Sequence, residues 1–116
     1  MVGSCTKVLI VEDDVIISLL MESMVEDLGY WVEGPVHDLG EGVRRALDAD
    51  IDFALLDFEL GDKVNTLPIA ETLRRRGIPF AFTTGFAPRQ IQGLIPGASI
   101  LSKPVLPSDL ERVLPV

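Results

Sequence analysis

Hydrophobic positions along this chain fall into two alternating patterns. Lys7 to Val11 (KVLIV) is a short, nearly continuous apolar run rich in β-branched residues, the pattern of a strand buried on both faces. It stops at three acidic residues, Glu12, Asp13 and Asp14. From Val15 to Leu28 the apolar residues Ile17, Leu20, Met21, Met24 and Leu28 recur at helical spacing, and Gly29 suits the left-handed residue just past a helix end. Asp14 stands where a short carboxylate caps the helix, satisfying amides of its first turn.

The unit then repeats. Tyr30 to Pro35 reads as a second strand, and Asp38 followed by Glu41 offers a capping box for a helix carrying Leu39, Val43, Ala46 and Leu47. A third strand, Phe53 to Leu56, ends at Asp57 and leads into a loop from Phe58 to Asn65. Thr66 is placed to cap a helix with Ile69, Ala70 and Leu73 inward and Gly77 at its end. Pro79 to Thr83 reads as the fourth strand. Pro88 to Gly93 holds only a short or irregular helix, because Phe86 to Gly97 contains Pro88, Gly93, Pro96 and Gly97. Ala98 to Ser102 gives a fifth strand, and Ser108 with Glu111 a cap for the last helix. Strands alternating with helices predict an α/β domain whose parallel sheet is covered on both faces.

Composition narrows the function classes. The 116 residues are the length of one domain, 47% are hydrophobic and 24% charged, and no internal repeat or low-complexity segment interrupts them. A net charge of −8 repels a phosphate backbone or an anionic lipid surface, so neither nucleic acid nor membrane is an expected partner. The single cysteine, Cys5, forms no internal disulfide or metal cluster. No apolar run approaches the roughly 18 residues of a membrane span, and the start lacks a signal region, which reads as cytoplasmic.

In an open parallel sheet the functional crevice lies outside the carboxyl ends of the strands. The first strand delivers Glu12 and Asp13 there, the third Asp57, the fourth Thr83 and Thr84, and the fifth Lys103. Glu12, Asp13, Asp57 and Lys103 together carry a net charge of −2. Two like charges about 4 Å apart repel by roughly 4 kcal/mol at an effective dielectric of 20, and a divalent cation removes that cost. Oxygen ligands with open positions suit Mg²⁺, and a carboxylate beside such an ion is placed to attack phosphorus and form an aspartyl phosphate.

These residues resemble the receiver domain of two-component response regulators, over essentially the whole chain and in the same order. VLIVEDD resembles that family's first strand and acid pair, LLDFEL its phosphoacceptor strand, FTTGF its fourth-strand switch segment, and SKP its lysine and proline. The stretch LGDKVNTLPIAETLRRRGIPFAFTTGF is similar to receivers common in alphaproteobacteria, as single-domain regulators or at the end of hybrid sensor kinases. The resemblance implies one flavodoxin-like, doubly wound domain over residues 1–116, with five strands ordered 2-1-3-4-5. It implies Asp57 as phosphoacceptor and Asp13 as a Mg²⁺ ligand, with Glu12 holding the ion directly or through water. The Glu59 backbone carbonyl would complete the protein ligands. It further implies Thr84 as the switch hydroxyl, Gly85 as a backbone donor, Lys103 paired with a phosphoryl oxygen, and a cis Lys103–Pro104 bond. Thr83 matches an ordinary apolar strand position.

The implied partners are a sensor histidine kinase or a histidine phosphotransfer protein as donor, a downstream protein, and a second copy in a homodimer. The implied role is a phosphoacceptor that promotes its own phosphotransfer and dephosphorylation, not an enzyme. Two departures stand out: Ile100 replaces the usual aromatic three residues before the lysine, and the fourth helix is broken by Pro and Gly. A degenerate receiver used only for docking is one competing reading. A phosphohydrolase of the haloacid-dehalogenase type is another, disfavoured because that fold wants its nucleophile and a second aspartate at the end of its first strand.

Away from this cluster the residues read more plainly. His37 is expected in a loop or on the surface, Arg74, Arg75 and Arg76 in a last helical turn where cations favour the dipole, and Trp31 and Met24 in packing.

Overall fold

A computed structural model describes residues 6–61, 64–85 and 88–115, with the main chain alone at 88–90; Cys5 and Phe86, named above, lie outside the described residues. The elements in chain order are β1 (Lys7–Val11), α1 (Val15–Asp27), β2 (Trp31–Val36), α2 (Leu39–Asp48), β3 (Phe53–Asp57), β4 (Glu59–Leu60) and β5 (Val64–Asn65). They continue with α3 (Leu67–Arg76), β6 (Phe80–Thr84), α4 (Pro88–Leu94), β7 (Ser99–Ser102) and α5 (Pro107–Val113).

Five strands form one parallel sheet in the order β2-β1-β3-β6-β7. This is the flavodoxin-like order expected from the sequence, with a small antiparallel pair, β4 and β5, inserted after β3. The pair falls within the segment Phe58 to Asn65, whose pattern predicts a loop, because two residues per strand are too few to show an alternation. Strands β2 and β6 each run one residue later than expected, which puts Thr84 inside β6.

Strand alternation sorts the core into two layers. Leu9, Val11, Ala54, Leu56 and Phe82 face one side with Ala46 of α2, Ile69 and Leu73 of α3 and Ile91 of α4. Val8, Ile10, Phe53, Leu55, Ala81 and Leu101 face the other with Met21 and Val25 of α1 and Leu110 of α5. Helix α1 is apolar almost all round: Met21 and Val25 are buried while Val15, Ile16, Leu19 and Leu20 remain exposed. Among the described residues no helix is long and apolar enough to cross a membrane.

The helix starts follow local chemistry, with three corrections. Asp14 caps α1 as read, its Oδ1 accepting from the Ile17 amide at 3.0 Å. Asp38 Oδ1 accepts from the Glu41 amide at 2.8 Å, but the Glu41 carboxylate is held by Arg44 and Arg45 at 2.6 and 2.7 Å. The guanidinium groups outcompete the return half of the capping box. At α5 the cap is not Ser108: Pro107 takes the first helical position and the Asp109 carboxylate accepts from the Leu106 amide at 2.9 Å. Thr66 precedes α3, yet its hydroxyl makes no cap bond; Asn65 Oδ1 accepts from the Leu67 amide at 3.1 Å instead.

Trp31 is also not a packing residue. It is the first residue of an edge strand and is 61% exposed, whereas Met24 packs against the α1 side of the core.

Candidate functional site

Four of the five strands of the sheet end on a residue the sequence marked; β2, at the edge, does not. Glu12 follows β1 and is held in place by the main chain. Its amide donates to the Val36 carbonyl at 2.9 Å, and its Oε2 accepts from the Asp14 amide at 3.1 Å. The pairing of β1 with β2 shifts between Leu9 and Val11, which brings Val36 opposite Val11. That shift needs Gly34: its φ is +97°, and an added Cβ would lie 2.8 Å from the Val36 nitrogen and 3.2 Å from the Ile10 carbonyl oxygen.

Asp57 closes β3, and Lys103 follows β7, its amide donating to the Thr84 carbonyl at 2.8 Å. Lys103 Nζ lies 2.8 Å from Glu12 Oε1 and 3.3 Å from Asp57 Oδ2. Glu12 is 2% and Asp57 6% exposed, while Asp13 is exposed. Carboxylate oxygens of Glu12, Asp13 and Asp57 all lie within 4.8 Å of one another. Gly61 passes over this corner, so close that an added Cβ would stand 3.1 Å from Asp13 Oδ2. The Lys103–Pro104 peptide is cis, as is Gly34–Pro35.

Thr83 and Thr84 are both buried, at 2% and 1% exposure. Glu59 sits half-buried in β4 and Gly85 is exposed just past β6. Ile100 lies opposite Phe82 in the β6–β7 pair, half-buried against the α3 and α4 side of the core. His37 is exposed, with Nε2 3.3 Å from the Ser18 hydroxyl. Arg74, Arg75 and Arg76 occupy the last turn of α3, where Arg76 donates to the Ala46 and Ala49 carbonyls at 2.7 and 3.0 Å. That arginine therefore closes the end of α2.

Three features were not legible from spacing. Thr83 stands directly across from Asp57 in the β3–β6 ladder. Phe58 packs edge-on against Phe82, ring centroids 5.4 Å apart at 81°. The Thr66 hydroxyl donates to the Asp57 carbonyl at 2.9 Å. All three depend on register or on a loop crossing, which short-range pattern does not encode.

The electrostatics follow from burial. Removal from water, and then the nearby Glu12 carboxylate, push the Asp57 acid up to about 7 against the opposing pull of Lys103. Burial works against the Lys103 ammonium, but Glu12 and Asp57 outweigh it and hold it above the usual lysine value.

Three carboxylates around one ammonium leave a charge deficit that suits a hard divalent cation. At 2.8 Å, the Lys103 ammonium is paired closely with Glu12 Oε1. Glu12 Oε1 is buried and its one close cation among the described residues is that ammonium, so the acid cluster keeps carboxylate oxygens for a further cation.

A search against models of known protein families gave no match. The chain is 30% identical over 112 residues to the phyllosphere-induced regulator PhyR of Methylorubrum extorquens, a match that takes in 94% of this chain and 42% of that protein. It thus spans less than half the length of that relative. Among solved structures it is similar to SdrG from Sphingomonas melonis Fr1, at 31% identity and a TM-score of 0.83, over 95% of this chain and 93% of SdrG. It is also similar to a CheY-like response regulator receiver domain protein from Methanospirillum hungatei JF-1, at 30% identity and a TM-score of 0.78, over 93% and 89% of the two chains. With the strand order and this match over nearly the full length of solved receivers, the chain belongs to the response-regulator receiver-domain family.

Proposed function

We propose that this chain is a phosphorylation-dependent switch of a two-component phosphorelay, working as one receiver domain over residues 1–116, with Asp57 as the phosphoacceptor. The observation that carries this reading is the Lys103 ammonium between two buried carboxylates, Glu12 and Asp57, at the carboxyl edge of the sheet. In the transfer, an Asp57 oxygen forms a bond to phosphorus. The bond from phosphorus to the donor imidazole nitrogen breaks, and that nitrogen keeps the electron pair. Lys103 then exchanges a carboxylate for a phosphoryl oxygen of higher charge, and the Thr84 hydroxyl and Gly85 amide supply donors to the same group. Glu12, Asp13, Asp57 and the Glu59 carbonyl would hold Mg²⁺, which supplies charge neutralisation at the phosphoryl oxygens.

The donor is read as a phosphohistidine on a kinase or phosphotransfer protein. An apolar groove of 310 Å³ supports this, because Ile17, Leu20, Met21 and Met24 of α1 line it with Pro104 and Val105, and Lys103 opens into it. A partner helix seated there would bring its histidine to Asp57. The output is read as altered binding of a downstream protein on the face formed by residues 85–100 and α5.

Intact mass spectrometry after incubation with acetyl phosphate tests the reading. The wild-type chain is expected to gain one phosphoryl group with Mg²⁺ and none with chelator, and Asp57→Asn to gain none. A chain that binds a partner but never takes label would be a docking module. Continuous phosphate release without accumulated label would mark a phosphohydrolase.

A further inference from the structure

Thr66 stands where α3 is ordinarily capped, yet its hydroxyl is spent elsewhere. The side chain is fully buried, and its oxygen donates to the Asp57 carbonyl at 2.9 Å. Capping passes to Asn65. The surroundings explain why a donor is needed there. The ladder between β1 and β3 stops at Val11 opposite Leu56, one residue short of Asp57. The Phe58 amide donates to the Thr83 carbonyl at 2.9 Å, and the Thr66 amide to the Phe58 carbonyl at 2.9 Å. The Asp57–Phe58 peptide is therefore held by β6 on one side and by Thr66 on the other.

We infer that Thr66 is a positioning residue for the phosphoacceptor: its hydroxyl fixes the main chain at Asp57 so that the carboxylate stays aimed at Lys103 and the acid cluster. This rests on the reading of Asp57 as phosphoacceptor. Attack on phosphorus needs the reacting atoms about 3–3.5 Å apart and aligned, and a misplacement of about 1 Å costs up to roughly a hundredfold in rate. A carbonyl that loses this donor on the α3 side lets the peptide plane tilt, and the Asp57 side chain tilts with it. The Ile69 and Ala70 amides both donate to the Thr66 carbonyl, so the same residue ties Asp57 to the first turn of α3.

The test compares Thr66→Val, which keeps the shape and deletes the donor, with Thr66→Ser, which restores it. Labelling by acetyl phosphate is followed at saturating Mg²⁺, and Mg²⁺ affinity is measured by calorimetry. Thr66→Val is expected to label about tenfold more slowly even at saturating Mg²⁺ and to bind Mg²⁺ more weakly, because the tilted Asp57 carboxylate is also one of the proposed ligands, and Thr66→Ser to recover most of both. Leu73→Ala, a cavity in the same helix, serves as a control and is expected to melt earlier but to label like wild type. Wild-type labelling in Thr66→Val, slow labelling in Thr66→Ser, or equally slow labelling in Leu73→Ala would overturn the inference. A measurement on the wild-type chain is independent of how the variants fold: the Thr66 hydroxyl proton should be protected from exchange in NMR spectra with and without beryllofluoride, and its absence would overturn the inference as well. If the wild-type chain takes no label, the phosphoacceptor reading falls and this inference with it. Label on wild type at an unchanged rate in Thr66→Val removes this inference alone.

Discussion

Lys103 and Asp57 carry opposite halves of one charge balance. Removing the ammonium leaves Glu12 and Asp57 buried, 2% and 6% exposed, with no counter-charge from that lysine. Lys103→Ala is therefore expected to slow acetyl phosphate labelling by about a hundredfold and to lower the melting temperature at pH 8. Lys103→Arg should restore part of the stability but not the rate, since a planar fork does not replace a compact ammonium. Labelling kinetics alongside thermal melts check both.

The raised acid of Asp57 gives a pH dependence of defined sign. Its folded-state value, about 7, lies above the ordinary carboxylate value of 3.8, so the native state holds the proton more tightly than the unfolded chain. Its contribution to stability is fully present below pH about 4 and is lost as pH rises through about 7. Asp57→Asn should remove that part of the slope and raise the melting temperature at pH 8 by about 5 °C, an effect of about 1 kcal/mol. Mg²⁺ should stabilise wild type more at pH 8 than at pH 5.5, because it binds the ionised carboxylate. Melts across pH, with and without Mg²⁺, read this out.

Among the elements, the β1–β2 pair shows how a glycine places a functional residue. Gly34 and Gly29 both have φ of +97°, but an added Cβ at Gly34 meets main-chain atoms while at Gly29 it meets nothing within 4 Å. Gly29→Ala is expected to cost about 1 kcal/mol from the left-handed backbone alone. Gly34→Ala should cost about 2 kcal/mol or more and also loosen Glu12, whose amide bonds Val36. Denaturant titration separates the two. The site's strand-end residues were legible because each one closes an apolar run: Glu12 after KVLIV, Asp57 after FALL, Lys103 after SILS. What escaped the sequence depended on competition for a partner. The Asp14 carboxylate has no rival among the described residues and caps its helix, whereas Thr66 is drawn to a carbonyl nine residues away and Glu41 to two arginines. Trp31 escaped because an apolar residue at a sheet edge carries the same local pattern as one inside it.

At the scale of the molecule, the candidate site lies at the carboxyl edge of the sheet, and the proposed readout spans both faces, with α4 on one side and α5 on the other. Alternation places Asp57 with Leu55 toward α1 and α5, and Thr84 with Phe82 toward α3 and α4. With Ile100 in place of an aromatic, the ring beneath Thr84 is Phe82, packed on Phe58 beside Asp57. A beryllofluoride adduct is therefore expected to change amide exchange most in residues 85–100 and in α5, with Thr84→Ala blunting the response. The exposed apolar residues of α1 set a separate prediction. Leu20→Glu, on the rim of the groove beside Lys103, should abolish transfer from a phosphohistidine donor while leaving acetyl phosphate labelling unchanged.

The account stands or falls on Asp57 carrying the phosphoryl group. Borohydride reduction of the acetyl phosphate-treated chain, followed by peptide mapping, converts an aspartyl phosphate to homoserine at its own position. The account predicts homoserine at position 57 alone, formed with Mg²⁺ and absent with chelator. Homoserine at another aspartate, or none in a chain that binds Mg²⁺, would contradict it.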